Sequence, residues 1–204
     1  MSTPIKVNVV SYGGVKPGMV VAGNAKSGAR TTVFDAATAT NGSYVFYKNG
    51  KLKSWDVDLP ELANGSYMFD DGVLTSFNAA LPKLTDGTNM FHHGFFLTSF
   101  NSNLPELTNG TNMFYDGVLL TSFNAALPKL TNGTSMFRNC ALDEDSILRI
   151  LNSIPTYTGG SHSLNLGKRT NYLNSAEVAE LLGEDTPIAA KQYTFKGWTL
   201  IVES

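Results

Sequence analysis

Residues 97–117 read LTSFNSNLPELTNGTNMFYDG, and this pattern recurs through the middle of the chain. In general form it is L-x-S-[W/F]-x-x-x-L-P-x-L-x-[N/D]-G-x-x-M-F-x-x-[G/C]. Its four clear copies begin, at steps of 22, 23 and 23 residues, at Leu52, Leu74, Leu97 and Leu120. A fixed period of this length predicts an α/β solenoid, in which each unit buries its apolar face only against its neighbours.

Each part of the pattern predicts a local structure. The Leu-Thr-Ser-Phe-Asn run is a short strand, in which Phe100 and Ser102 point to one face while Ser99 and Asn101 point to the other. The strands of successive copies should pair as a parallel β ribbon that ends at Leu-Pro, because proline cannot donate into a ladder. The Asn-Gly or Asp-Gly pair predicts a tight turn with positive φ, after which Met-Phe returns to the core.

The repeats divide the chain into three parts. We expect about five units over residues 30–140, because residues 41–46 match residues 64–69 and residues 30–34 resemble a degenerate first strand. Residues 1–29 contain β-prone runs but no repeat. They predict either a β-rich N-terminal cap or an attachment segment, and an attachment segment would allow a homo-oligomer.

Residues 141–204 lose the period and predict longer, helix-containing units that close the C-terminal end. Asp143 is expected to cap a helix whose apolar face includes Ile147 and Ile150, and which stops at Pro155. Further elements are expected as strands at residues 163–166 and 197–202, a helix from Asn174 or Ser175 to Leu182, and a helical turn near Pro187.

The run F-x-x-[C/G]-x-L-x-S-F…L-P-x-L resembles the BspA-type leucine-rich repeats of bacterial surface proteins and of phage-borne proteins. Residues 137–140 carry the cysteine of that motif, and glycine replaces it in other copies. The spacer between the strand aromatic and Leu-Pro is two residues longer here, and phenylalanine or tryptophan replaces the strand isoleucine. The resemblance implies a right-handed leucine-rich-repeat superhelix that serves adhesion or recognition without catalysis.

Composition excludes several classes of partner. The net charge is −2 and charged residues make up 16% of the chain, so the basic surface that nucleic acid requires is missing. No run approaches the ~20 apolar residues of a membrane span, and we expect no membrane insertion. No signal peptide is visible. From the resemblance we expect an extracellular location, at a bacterial cell surface or in a virion.

The sequence offers little for catalysis. No signature of a nucleophile elbow, a zinc protease or a phosphate-binding loop is present, and no histidine neighbours Cys140 in its motif. His92 and His93 are adjacent on an expected exposed turn, and adjacent residues rarely converge on one ion. With no third ligand evident, we expect no metal site, no cofactor and no enzymatic activity.

Two surfaces remain as candidates for binding a protein or a glycan. The first is the polar face of the ribbon, here called the ladder face: Ser76, Asn78, Ser99, Asn101, Ser122 and Asn124, with Ser54/Asp56 before them and Ser163/Asn165 after them. The second is the two-residue slot after each apolar-Phe pair, here called the variable edge: Tyr47/Lys48, Asp70/Asp71, His92/His93, Tyr115/Asp116 and Arg138/Asn139.

Each surface also has a structural explanation. Stacked serine and asparagine side chains can bond to one another along a ribbon, and loop tips tolerate varied residues. We expect a recognition or adhesion module of a bacterial surface or a phage tail. The alternative is a structural spacer or capping subunit of such an assembly.

Overall fold

The computed structural model describes residues 6–11, 20–21, 30–168, 176–177, 180 and 192–203. These residues form short strands, many of them paired in parallel, and one longer helix. The strands are β1 Lys6–Ser11, β2 Val20–Val21, β3 Arg30–Asp35, β4 Ser54–Trp55, β5 Ser76–Phe77, β6 Ser99–Phe100, β7 Ser122–Phe123, β8 His162–Lys168, β9 Gln192–Phe195 and β10 Trp198–Glu203, and the helix is α1 Glu144–Ser153.

The first three strands form an antiparallel sheet in the order β1-β3-β2. The expectation that residues 30–34 open the parallel ribbon is therefore wrong, because β3 pairs with N-terminal strands instead. Phe34 still joins this sheet to the repeats, since its buried ring lies 5.9 Å from Phe46 and 6.4 Å from Trp55. Whether residues 1–29 cap the repeats or attach them elsewhere stays a prediction.

Successive copies pair in parallel along two lines. In the first line, the Ser-[Trp/Phe] strands pair β4 with β5 and β6 with β7, each serine opposite a serine. In the second line, single parallel bridges join the turn residues Asn41, Asn64, Asp86, Asn109 and Asn132 in sequence. The predicted parallel pairing is confirmed for β4 with β5 and for β6 with β7, but these pairs belong to separate sheets, so the predicted single ribbon is interrupted between β5 and β6. The turn residues form a second line that the sequence pattern did not predict.

On the return path of each copy, the hydrogen bonds to the next copy run in one direction. The N–H of Phe91 donates to the carbonyl of Met113, and the N–H of His93 donates to that of Tyr115. The same pair of bonds joins every two neighbouring copies: Phe46 to Met68 and Lys48 to Asp70, Phe69 to Met90 and Asp71 to His92, Phe114 to Met136 and Asp116 to Arg138. At the last copy the N–H of Asn139 donates to the carboxylate of Glu203 instead, at 2.9 Å.

The turn glycines leave space for a side chain of the next copy and do not have a positive φ. Their φ values lie outside the left-handed region, which is occupied two residues later, at Tyr44, Tyr67, Asn89, Asn112 and Ser135. A Cβ on Gly87 would lie 2.8 Å from Sδ of Met113, closer than real Cβ atoms approach other atoms. The predicted turn is correct, but its positive φ falls two residues after the glycine, and the glycine itself makes room for the methionine of the next copy.

Phenylalanine rings stack in two columns through the core. The Met-Phe column runs through Phe46, Phe69, Phe91, Phe114 and Phe137, with neighbouring centroids 5.3–5.6 Å apart. The strand column runs through Phe77, Phe100 and Phe123, and its rings meet the first column edge to face. Offset stacking and edge-to-face contact are the favoured aromatic geometries, so both columns stabilise the register between copies.

The C-terminal elements cover the last copy. Helix α1 begins after Asp143, whose side chain accepts the N–H of Ser146, and it buries Ile147 and Ile150, as predicted. Ser146 also bonds to strand β7 through its hydroxyl, which accepts the N–H of Phe123 at 2.8 Å. The helix thereby covers the end of the first line of pairing, at strand β7. Strand β8 covers the end of the second line, that of the turn residues, through a parallel bridge between Gly133 and Leu164.

This arrangement corrects the expectation that Ser163 and Asn165 extend the ladder face, because Asn165 is buried and bonds to Glu203. Strand β10 matches the expected final strand, and β8 the one before it. Strand β9 was not predicted; it pairs antiparallel with β10 across Lys196 and Gly197, both at positive φ. Of the helix expected from residue 174 or 175, residues 176, 177 and 180 are helical, and the turn near Pro187 lies outside the described residues.

Candidate functional site

The ladder face is formed as predicted, but two of its asparagines, Asn78 and Asn124, bond to the equivalent residue of the preceding copy. Phe100 and Ser102 are buried while Ser99 is half-buried and Asn101 is exposed, which confirms the predicted alternation. Nδ2 of Asn124 donates to Oδ1 of Asn101 at 2.6 Å, and Nδ2 of Asn78 donates to Oδ1 of Asp56 at 2.8 Å. These bonds favour the structural explanation of the ladder.

The variable edge is shaped by the backbone. Its second position has a positive φ in every copy, at Lys48, Asp71, His93, Asp116 and Asn139. Asparagine, aspartate and histidine enter this region more readily than other residues with a Cβ, which explains four of the five occupants. The edge is unevenly exposed: Asp70 is only 5% exposed, whereas Tyr47 at the equivalent position of the first copy is 42% exposed.

Side-chain contacts run along the whole edge from copy to copy. At its N-terminal end, Nζ of Lys48 lies 3.7 Å from Oδ2 of Asp71. At its C-terminal end, the Arg138 guanidinium lies over the Tyr115 ring, 5.2 Å from the centroid. Nε of Arg138 also lies 3.6 Å from Oε1 of Glu203. The edge is therefore one connected surface of charged and aromatic groups.

The middle of the edge brings both histidines onto one carboxylate. Nδ1 of His92 lies 2.9 Å from Oδ1 of Asp70, and Nδ1 of His93 lies 3.7 Å from the same oxygen. Nε2 of His93 faces Oδ2 of Asp116 at 3.5 Å. The sequence led us to expect that the adjacent histidines would not converge and that no third ligand would lie near them. Both expectations are wrong, because the two histidines approach the same oxygen and Asp70 is a third donor. The repeat period contained a signal for this contact. Asp70 occupies the position equivalent to His92 in the preceding copy, and equivalent positions of neighbouring copies lie side by side.

Beside the edge lies an apolar surface that the sequence argument missed, here called the apolar patch: Phe95, Phe96, Val118 and Leu119. These side chains are 39–49% exposed and occupy equivalent positions in two neighbouring copies. The patch continues the edge, because the Phe95 ring lies 5.6 Å from that of His93. The sequence did contain a signal for this patch. Two residues lie between Gly94 and Leu97, whereas the preceding copy has only Val73 between its glycine and its leucine.

Cys140 lies in the core, where its Sγ donates to the carbonyl oxygen of Phe114 at 3.1 Å. Burial raises the pKa of its thiol well above the ordinary value. A buried protonated thiol serves as a packing group and not as a nucleophile. Within the described residues, no helix has the length and apolar character needed to cross a bilayer.

The candidate residues thus fall into two groups. The ladder residues lie together and bond to one another, whereas His92, His93, Tyr115, Asp116 and Arg138 share one contact network with Asp70 and the apolar patch. Comparison with protein-family models, with curated proteins and with solved structures finds no match.

Proposed function

We propose that the chain is a right-handed leucine-rich-repeat solenoid of the BspA type that acts as a non-enzymatic recognition module of a bacterial surface or a phage virion. The variable edge and the apolar patch together bind a protein ligand. The observation that carries this proposal is that an exposed apolar patch adjoins an edge of aromatic and charged side chains.

The repeat contacts support the solenoid. Two lines of parallel pairing follow the period of 22 or 23 residues, and the core columns add one aromatic ring per copy. In such an architecture each unit contacts its neighbours and presents equivalent side chains at a regular spacing. Extended recognition surfaces arise from that spacing.

The composition of the edge supports a protein ligand. Contact surfaces of proteins are enriched in aromatic residues and arginine, and their energetic centres are enriched in tyrosine and arginine. Tyr115 and Arg138 contact each other on the edge, and Phe96 and Leu119 are the most exposed members of the patch. Aliphatic side chains such as Val118 and Leu119 suit burial against a protein better than hydrogen bonding to sugar hydroxyls.

The proposal is tested by binding of the fluorescently labelled chain to a panel of intact bacterial cells. We expect binding that is lost when the cells are treated with protease, and that falls at least about tenfold for Arg138→Ala or Phe96→Ser, since central contact residues contribute at least that much. The matched control is Asn101→Ala on the ladder face, which should bind like the unchanged chain. Binding that survives protease and is lost in the control would place a glycan on the ladder and contradict the proposal.

The alternative, a spacer or capping subunit, has one observation in its favour. Strands β1 and β2 are the outer strands of their sheet, and outer strands offer backbone groups to another chain. Light scattering of the intact chain over a hundredfold dilution separates the two functions. A stable oligomer that is unchanged by Arg138→Ala and binds no cells would favour the spacer, whereas a monomer that binds cells would exclude it.

A further inference from the structure

The contact between Asp70, His92 and His93 has a property beyond surface recognition. One ligand atom of each residue lies within 4.8 Å of the ligand atoms of the other two. Asp70 comes from one copy and the two histidines from the next, so three donors on two copies face one point. The side chains are 7%, 19% and 36% exposed, which places this point at the rim of the protein with access from solvent.

These distances match a metal site before the ion binds. Zinc bonds to imidazole nitrogen and carboxylate oxygen measure about 2.0–2.2 Å, so tetrahedral ligand atoms stand about 3.4 Å apart. The separations from Oδ1 of Asp70 are 2.9 Å to Nδ1 of His92 and 3.7 Å to Nδ1 of His93, on either side of that value. Side-chain shifts of about 0.5 Å or less would give both pairs that include Asp70 the tetrahedral spacing, and the donor atoms of the two histidines lie within 4.8 Å of each other.

A second layer of contacts orients His93. Metal-binding histidines usually donate their other ring nitrogen to a carboxylate, which fixes the ring and its tautomer. With Nδ1 of His93 toward Asp70, its Nε2 faces Oδ2 of Asp116. Asp116 is itself held by the side-chain amide of Asn139, which donates to its other oxygen. This chain of contacts crosses three successive copies and would hold the donor atom of His93 toward the ion.

We propose that Asp70, His92 and His93 bind one divalent transition-metal ion of the zinc class, with Asp116 as the positioning residue and one coordination position left to solvent. Imidazole ligands select zinc and its neighbours, whereas magnesium and calcium prefer all-oxygen sites. The ion links two neighbouring copies through their side chains. This inference does not rest on the proposed function, because the ion joins residues of the protein whether or not the edge meets a ligand.

The test is calorimetric titration of tag-free chain with zinc chloride. We expect one ion per chain, no heat with magnesium chloride, and a higher melting temperature in zinc. Cobalt in place of zinc reports the coordination number through its visible absorption. We expect Asp116→Asn to weaken zinc binding by about 10–100-fold, the usual effect of losing the partner of a ligating histidine. His93→Gln should remove binding.

The matched control is His162→Gln, which removes the third histidine of the chain from a site that contacts the carbonyls of Thr131 and Gly159. It should bind zinc like the unchanged chain. Circular dichroism checks that each variant is folded, and Asp116→Asn keeps the test independent of Asp70, whose burial makes its replacement riskier. Absence of zinc binding by the unchanged chain would overturn the proposal, as would binding that persists in His93→Gln.

Discussion

Gly87→Ala tests the packing of methionine on glycine that joins successive copies. The added Cβ would lie 2.8 Å from Sδ and 3.2 Å from Cε of Met113, a fully buried residue of the next copy. Overfilling a packed core costs about 1–3 kcal/mol, while replacing glycine lowers the entropy of the unfolded chain and returns about 0.4–1 kcal/mol. We therefore expect a net loss of about 1 kcal/mol in the free energy of unfolding, within a range of about 0–2.6 kcal/mol.

Urea denaturation followed by the fluorescence of Trp55 and Trp198, which are both buried, measures this loss. The matched control is Gly50→Ala, because nothing lies within 4 Å of a Cβ there. It should be neutral or stabilise the chain by up to about 1 kcal/mol. A thermal melt should show the Gly87 variant lower by about 2–4 °C per kcal/mol.

Repeating Gly87→Ala in a chain that already carries Met113→Ala isolates the contact between these two residues. In Met113→Ala the side chain that opposes the new methyl group is gone, so Gly87→Ala should there become neutral or stabilising. Equal costs of Gly87→Ala in both backgrounds would refute the packing argument, as would a Gly87→Ala variant that gains stability like Gly50→Ala. Should Met113→Ala be too unstable to measure, the comparison of Gly87 with Gly50 still decides the question.

Two further predictions concern the core. Phe100→Ala should cost about 3–5 kcal/mol, because the ring is fully buried in its column, whereas Asn101→Ala next to it should cost about 0.5 kcal/mol; urea midpoints that are equal for the two variants would contradict the assigned faces. The Cys140 thiol should not react with Ellman's reagent at pH 8 in the folded chain and should react fully in urea, because burial raises its pKa and excludes the reagent; rapid reaction without denaturant would show that it is accessible.

The features predicted from the sequence are those that depend on local chemistry or on the period. Alternation of polar and apolar residues identified the buried and exposed sides of the strand at Phe100, and the cap at Asp143 located the helix. Parallel pairing followed from the step between copies. Each of these inferences needs only neighbours in sequence or the equivalent residue one copy away.

The features that were missed depend on contacts between elements without a shared pattern. Strand β3 pairs with strands outside the repeats, and β9 pairs with β10 across a two-residue turn whose glycine at Gly197 was the available signal. At the edge, the period placed Asp70 beside His92, but burial of the carboxylate depends on how the return path turns. The apolar patch arises from one added residue per copy, whose exposure depends on the loop that contains it.

The hydrogen bonds of the return path point toward the C-terminal copy, whereas those before each turn and on the strands point the other way: the N–H of Thr85 donates to Ala63 and that of Asn124 donates to Phe100. These opposed directions leave the repeats little net dipole, but each N–H of the return path needs an acceptor on its C-terminal side, and the last of them needs one outside the repeats. Glu203 lies at that end, and its carboxylate accepts the last N–H of the series, from Asn139. The Glu203 carboxylate thus takes the place of the carbonyl that a next copy would supply. A further copy added after Asn139 would have to displace Glu203 before its own carbonyl could accept that N–H.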